Sequence, residues 1–502
     1  MKKMIGMSLL AATTLAFAST ADDIAKLEKE IAKLKKKVGK VNAQAANDNI
    51  KWGVDFRTAI DSINYDMADG STRSKNDLMS MRLWLNMAYA PDSHNVFKGQ
   101  LSMNKAFGAD FGGYNPNNPF YSRANSLGGV FDWTANEALT DNTLKVRQAY
   151  WLYLGDSAFG LDMPWTFSIG RRPSTNGFLA NLRDDDPAQS PLGHVINVEF
   201  DGLSSKLDLS NITGIPGMSI KLCMGQGSTN ATPLFDVTNY SNSSDSLTDI
   251  KLGGFIFEPY NDGQIISKIT WYRAYDLPGI AQDSATGFPI QDAFGNYQFT
   301  QFGDMEGAAI SVLIDGITED GYFSDAKVFA SFAWSKTLPD TGKAMLFDFF
   351  DPASYGESQT GTSWWVGAQL PVTEDGKFGI EYNHGSQYWR PFTYAEDTMI
   401  GSKLAARGDA FEMYFTYQLT DALSAQMRYT KIDYDYTGSN GFFGNASGAA
   451  VKIDDLKAAA AQLKAAIAQG YVPTAQEQGL LGMEANTVES ADDFRFYIRY
   501  RF

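Results

Sequence analysis

The chain has 502 residues, among them Gly 46, Phe 33, Tyr 24 and Trp 10. With a mean hydropathy of -0.26 and no long apolar run beyond the first twenty or so residues, this excludes a helical membrane protein and leaves any spanning to strands. The formal net charge of -16 argues against nucleic-acid binding, and the single cysteine, Cys223, excludes an intrachain disulfide, a multi-cysteine metal site and covalent c-type haem.

In chain order, Lys2 and Lys3 form a positive n-region, Met4 to Phe17 is an apolar run too short to span a bilayer, and Ala16-Phe17-Ala18 fits a small-x-small cleavage site. These predict a signal peptide over residues 1–18, with 21 as the alternative end. Removing Lys2 and Lys3 with it takes the charge from -16 to -18. Ile24, Leu27, Ile31, Leu34, Val38 and Val41 then recur at spacings of three and four, with Lys and Glu on the other faces. Over residues 22–46 this predicts a short coiled-coil helix whose stripe meets copies of itself, since a lone lysine-rich helix of this length is marginal in water. Asn42 to Asn49 is the linker into the first strand.

From residue 50 to residue 502 the pattern changes to a period of two, which means strands with two chemically different faces. Trp52, Val54 and Phe56 alternate with Asp55 and Arg57, and Met79, Met81, Leu83, Leu85 and Met87 with Ser80, Arg82 and Asn86. Further on, Trp364, Val366, Ala368 and Leu370 line one face, as do Phe411, Met413, Phe415 and Tyr417 opposite Glu412. Faces are ambiguous over Lys251 to Phe257 and Ile265 to Tyr275. About sixteen strands are expected, one of them beginning near His194, with connections that alternate long and short. The long ones include Tyr65 to Asn76, Phe107 to Asn142, Pro173 to Gly193, Leu338 to Gly361, Pro391 to Gly408 and Thr437 to Ala491. The expected fold is all-β: a transmembrane antiparallel up-and-down β-barrel preceded by a short periplasmic coiled-coil helix. In the last long loop, Ile453, Leu456, Ala460, Leu463 and Ile467 predict an amphipathic helix over 451–468 that caps the mouth or docks on the rim.

The final strand sets Phe494, Phe496, Ile498, Tyr500 and Phe502 against Arg495, Tyr497, Arg499 and Arg501. It resembles the C-terminal strand of bacterial outer-membrane proteins, and the resemblance implies that Phe502, Tyr500 and Ile498 form a signal for the outer-membrane assembly machinery. Ser168-Ile169-Gly170-Arg171-Arg172-Pro173 and Phe200-Asp201-Gly202 are similar to stretches of porin barrels. Leader, coiled coil, barrel and terminal Phe together resemble the porins of epsilon-proteobacterial outer membranes. The resemblance implies the outer membrane of a Gram-negative bacterium, with its lipid outside the barrel and the coiled coil in the periplasm. The charge of -18 suits an acidic external surface that divalent cations and lipopolysaccharide bridge, the stripe Ile24 to Val41 predicts a homo-oligomer, a trimer above others, and a tether would have the coiled coil meet peptidoglycan.

A barrel of this size is too wide for side chains alone to fill. The inward register offers Arg57, Arg82, Arg147, Arg172, Arg428, Arg495 and Arg499, with Lys51, Lys98, Lys145, Lys221 and Arg501, against fewer acids such as Asp55, Glu381 and Glu412. The loop Phe107 to Asn142, carrying Asp110, Asp132 and Trp133, is the expected constriction, with Arg57, Arg82 and Arg147 facing Asp110 and Asp132. Such an arrangement makes a porin for passive diffusion of small hydrophilic solutes or ions. The alternatives are a substrate-selective transporter and a structural tether to the cell wall. Asp184, Asp185 and Asp186 are a solvated loop sooner than a calcium site. His94, His194 and His384 fall on a turn and two separate strand regions, so neither zinc nor a serine triad is nominated. No enzyme, cofactor, metal or nucleic acid is expected.

Overall fold

Alternation of apolar and polar residues places the two faces of each strand in different surroundings, and it produces sixteen antiparallel strands closed into one barrel. The computed structural model describes residues 50–502, apart from 109–141, 143, 236–237, 243–246, 282–289, 291–297, 319, 394–397 and 440–446. The leader and the coiled-coil segment lie outside the described residues. The strands are β1 (Lys51–Met67), β2 (Thr72–Tyr89), β3 (Asn95–Ala106), β4 (Lys145–Gly155), β5 (Trp165–Arg172), β6 (Phe200–Asp208), β7 (Ser219–Ser228) and β8 (Ile250–Asn261). They continue as β9 (Ile265–Ile280), β10 (Phe299–Asp315), β11 (Lys327–Pro339), β12 (Thr360–Thr373), β13 (Gly376–Gly385), β14 (Gly408–Thr420), β15 (Leu423–Tyr434) and β16 (Val488–Arg501). Each pairs with the next in sequence, and β16 returns to β1 with Thr58 opposite Ile498. At that seam Val54 and Phe502 exchange two backbone hydrogen bonds of 3.0 Å. Closure leaves no unpaired edge, which is the condition for a sheet in hydrocarbon.

The outer face carries Trp52, Ile60, Leu222, Met224, Ile310, Phe332, Trp364, Met413, Phe494 and Ile498, all exposed. An apolar girdle running round the whole cylinder is compatible with lipid and unfavourable in water. Tight turns such as Asp421-Ala422 join strands at one end, and the longer loops gather at the other. The first long-end connection departs from expectation. Instead of a loop from Tyr65 to Asn76, β1 and β2 run on to a turn at residues 68–71, closed by Met67 N–H to the Ser71 carbonyl at 2.8 Å and by Gly70 at φ 83°. Strand pairing continues there with Tyr65 and Ala68 against the apolar cluster at the mouth and Met67 buried. A second correction concerns His194, which starts no strand; β6 begins at Phe200.

Helix α1 (Ile453–Ala468) buries Ile453, Leu456, Ala460 and Leu463, and Ile453 joins Ile63, Ile400, Ala406 and Ile432 in an apolar cluster at the long-loop mouth. The apolar stripe therefore docks on the rim. A second helix, α2 (Ala475–Asn486), starts with a capping box between Thr474 and Glu477 and is tied to α1 by Lys464 and Glu484 at 2.7 Å.

Candidate functional site: the filled lumen

The functional geometry lies inside the cylinder and begins where β5 ends. Residues 173–199 fold inward instead of rising from the mouth, with Leu179, Leu192 and Val195 fully buried. They pack on Tyr272, Ala274, Met305, Ala309, Phe329, Ala333 and Trp365 from the inner faces of β9 to β12, and on Trp389, Phe392 and Leu404 from a second inward loop, described at residues 386–393 and 398–407. Each fully buried side chain of this size contributes on the order of 1.5–3 kcal/mol. The two loops also pair with each other: Asn197 N–H donates to the Phe392 carbonyl at 2.6 Å, and Phe392 N–H to the Val195 carbonyl at 3.0 Å. Gly361 is what allows the second loop to lie so close, because a Cβ there would collide with the Trp389 backbone.

The opposite half of the inner wall is charged. Arg499 Nε donates to Asp55 at 2.9 Å, while its terminal nitrogens reach Asp186 at 2.7 Å and the Asp184 carbonyl at 2.8 Å. Arg82 stands 3.6 Å from Asp55, with its guanidinium 3.5 Å from the centre of the Trp84 ring. Arg147 approaches that ring at 4.2 Å, donates to Gln100 at 2.6 Å and lies 3.6 Å from Glu199. Arg495 donates to Asp61 at 2.5 Å, and Arg57 sits over the Tyr497 ring at 5.2 Å. Nearer β13 and β14, Lys403 from the second loop bridges Glu381 at 2.7 Å and Glu412, and Arg183 from the first lies 3.4 Å from Glu412, which also feels the charge of Arg428. Buried charges require such mutual pairing, so loop and wall specify each other.

All seven arginines named from sequence face inward and are buried. Six belong to this charged strip, whereas Arg172 stands apart beside Cys223. Asp110, Asp132 and Trp133 lie outside the described residues. Among the described residues, the acids that meet the arginines include Asp55, Asp61, Glu199, Asp184, Asp186, Glu412 and Asp493. The reading of Asp184 to Asp186 as a solvated loop is thereby corrected: Asp184 is buried, Asp186 is held by Arg499 and Arg501, and only Asp185 reaches outward, to Lys377 at 2.8 Å. Sequence reasoning also missed Arg183, Lys403 and His194. One signal was available for His194, since it is followed by Val195, Ile196 and Val198, an apolar stretch that asks for burial.

Burial pushes the Asp186 and Glu199 carboxyls up, opposed by Arg499 and Arg147 respectively. Burial also drives His194 down to about 3. Its Nδ1 is 2.7 Å from the Ser331 hydroxyl and its Nε2 2.9 Å from that of Ser363, and the indoles of Trp365 and Trp389 stand edge-on at 5.6 Å. At the long-loop mouth, Asp66, Asp433, Asp435, Asp454 and Glu489, with Lys452, border a cavity of about 360 Å³. Among the described residues, no group of three His, Cys, Asp or Glu is placed to hold a metal.

A family model described as a protein of unknown function, DUF3373, matches residues 72–502. The chain belongs to the DUF3373 family. No curated protein matches it. Among solved structures it is similar to OmpF of Salmonella typhi in complex with daunomycin, at TM-score 0.43 and 12% identity over 91% of this chain and 99% of that one. It is likewise similar to a loop L8 deletion of OmpT, an outer membrane protein of Vibrio cholerae, at TM-score 0.42 and 9% identity over 90% and 99%. Outer-membrane expressed OmpT of the same organism gives 0.41 and 11% over 90% and 97%.

Proposed function

We propose that this DUF3373 protein is an outer-membrane channel of the porin kind, through which small hydrophilic solutes or ions diffuse along a passage narrowed by its own inward loops. The observation that carries this reading is the charged strip: Arg57, Arg82, Arg147, Arg428, Arg495 and Arg499 lie in one face of the lumen, with Asp184 and Asp186 of loop 173–199 set against it. Fixed charges of both signs in a channel wall orient polar solutes and select by charge. A lumen partly filled by its own loops favours a substrate-selective channel over a wide sieve. In this reading the apolar girdle meets lipid, the acidic long-loop mouth meets lipopolysaccharide through divalent cations, and residues 22–46 form a periplasmic coiled coil in a homotrimer. The passage performs no chemistry on its solute.

The test is planar-bilayer conductance of the folded barrel before and after residues 176–196 are replaced by a short Gly-Ser linker. A several-fold rise in single-channel conductance is expected, because the linker lacks the side chains that dock on the wall. Unchanged conductance in a variant that still migrates as a folded barrel would show that loop 173–199 does not set the passage.

A further inference from the structure

Beside the charged strip, from β5 onward, three cations are arranged differently. Arg172 on β5 is 6% exposed and its Nε has no hydrogen-bond partner. Its guanidinium faces the sulfur of Cys223 on β7. Lys221 on β7 donates to the Ser190 hydroxyl at 2.7 Å, and Lys268 on β9 reaches the Ser190 carbonyl at 3.4 Å with its ammonium 4.7 Å from the Phe178 ring centre. Among the described residues, none of the three has a carboxylate as an ion-pair partner. Lys206 on β6 stands directly opposite Lys221 in the register, where two like charges repel. The contrast with the other half is decisive: Arg82, Arg147, Arg495 and Arg499 each have an acid beside them. Glu199 and Glu258 reach Arg172 and Lys268 only at longer range, and Lys221 feels the like charges of Arg172, Lys206 and Lys268, so an anion placed beside Lys221 offsets a net positive cluster.

The space for one is present. A cavity of about 60 Å³ is bordered by Arg172, Lys221 and Thr270 among a mostly apolar lining that includes Ile196, Val198 and Leu252. At roughly 10–15 Å³ per water-sized occupant, it takes on the order of four to six non-hydrogen atoms. A hydrated dianion is a poor match, because the apolar lining offers nothing in exchange for its water. A monoanion with a short hydrocarbon tail matches both ends.

We propose that the pocket between β5, β7, β8, β9 and the inward loop binds a small monocarboxylate of about two to four carbons, with its carboxylate on Arg172 and Lys221 and its tail on Ile196, Val198 and Leu252. Binding does not require that the barrel conduct, so this inference goes beyond the channel reading and is tested separately from it.

The full chain, folded in detergent, is titrated calorimetrically with sodium propionate at constant ionic strength, with sodium phosphate and sodium chloride as the other arms. Saturable propionate binding is expected, weakened at least tenfold by Arg172→Gln or Lys221→Gln and unaffected by Arg273→Gln, whose partner Asp304 lies outside the pocket. Phosphate or chloride binding as tight as propionate binding overturns the carboxylate assignment, as does propionate binding that both pocket variants leave unchanged. Because Arg172→Gln disturbs a buried site, the unaltered protein supplies a second measurement. Cys223 is the only cysteine and lines the same cavity, so its alkylation by iodoacetamide should slow as propionate is raised and saturate at the calorimetric concentration. Alkylation indifferent to propionate overturns the proposal without recourse to any variant.

Discussion

The imidazole of His194 has nowhere to put a second proton, since Ser331 and Ser363 engage both nitrogens and two indoles close it off from water. A neutral ring satisfies two hydroxyls, one as donor and one as acceptor, whereas a protonated ring adds an uncompensated buried charge. With the ring at about 3 in the folded protein and about 6.5 when released, the released form alone takes up the proton between those values. The stabilisation is therefore complete above about pH 6.5 and is lost as the pH falls towards 3, at up to about 1.4 kcal/mol per pH unit. Asp186 and Glu199 are pushed up and contribute with the opposite sign, so the measurement is a difference between proteins. The expected outcome is that protease cleavage of loop 173–199 accelerates more between pH 7 and pH 4.5 in the wild type than in His194→Gln; equal acceleration counts against this account. At the same scale the sequence made the arginines legible, because alternation alone assigns their face. It hid their partners, because Asp184 and Asp186 sit in a segment with no periodicity and their meeting with Arg499 spans more than 300 residues.

Among the elements, β16 shows how much a strand contributes beyond its side chains. Phe502 is 67% exposed, so little apolar area is buried by it, yet its backbone closes the seam with Val54 and its ring stands edge-on to Tyr500 at 5.5 Å. Two backbone hydrogen bonds are worth about 1–3 kcal/mol together, too little to decide whether a sixteen-stranded barrel folds. Deleting Phe502 should accordingly leave refolding in detergent nearly normal while lowering the amount of heat-modifiable barrel assembled in cells, as the resemblance to an assembly signal implies. Equal impairment in both settings would assign the effect to the seam. The outward-facing elements were the legible part of the fold. The faces of β8 and β9 were not, and the structure gives the reason: Leu252, Ile256, Tyr272 and Ala274 point inward yet are apolar, since they meet loops instead of water. Where both faces of a strand are apolar, alternation vanishes.

For the whole molecule, the inward loops give the cylinder a cross-brace. Residues 195–197 pair with Phe392 across almost 200 positions of sequence, inside a wall that closes between residues 54 and 502. The chain therefore has two closures, and they differ in kind. The outer one is built from neighbouring hairpins plus one seam, while the inner one requires two loops to find each other within an already formed ring, against the entropy of a long loop. Assembly should have an order, with the cylinder resistant to heat-denaturing gel conditions first and its interior consolidated later. Time-resolved refolding should show heat-modifiable migration appearing before loop 173–199 becomes protected from protease. Simultaneous appearance would mean that brace and wall form as one cooperative unit. On the proposed channel reading, a barrel already in its membrane would in that interval be a wider and less discriminating pore than it finally becomes, and the newly inserted molecule would leak more than the mature one.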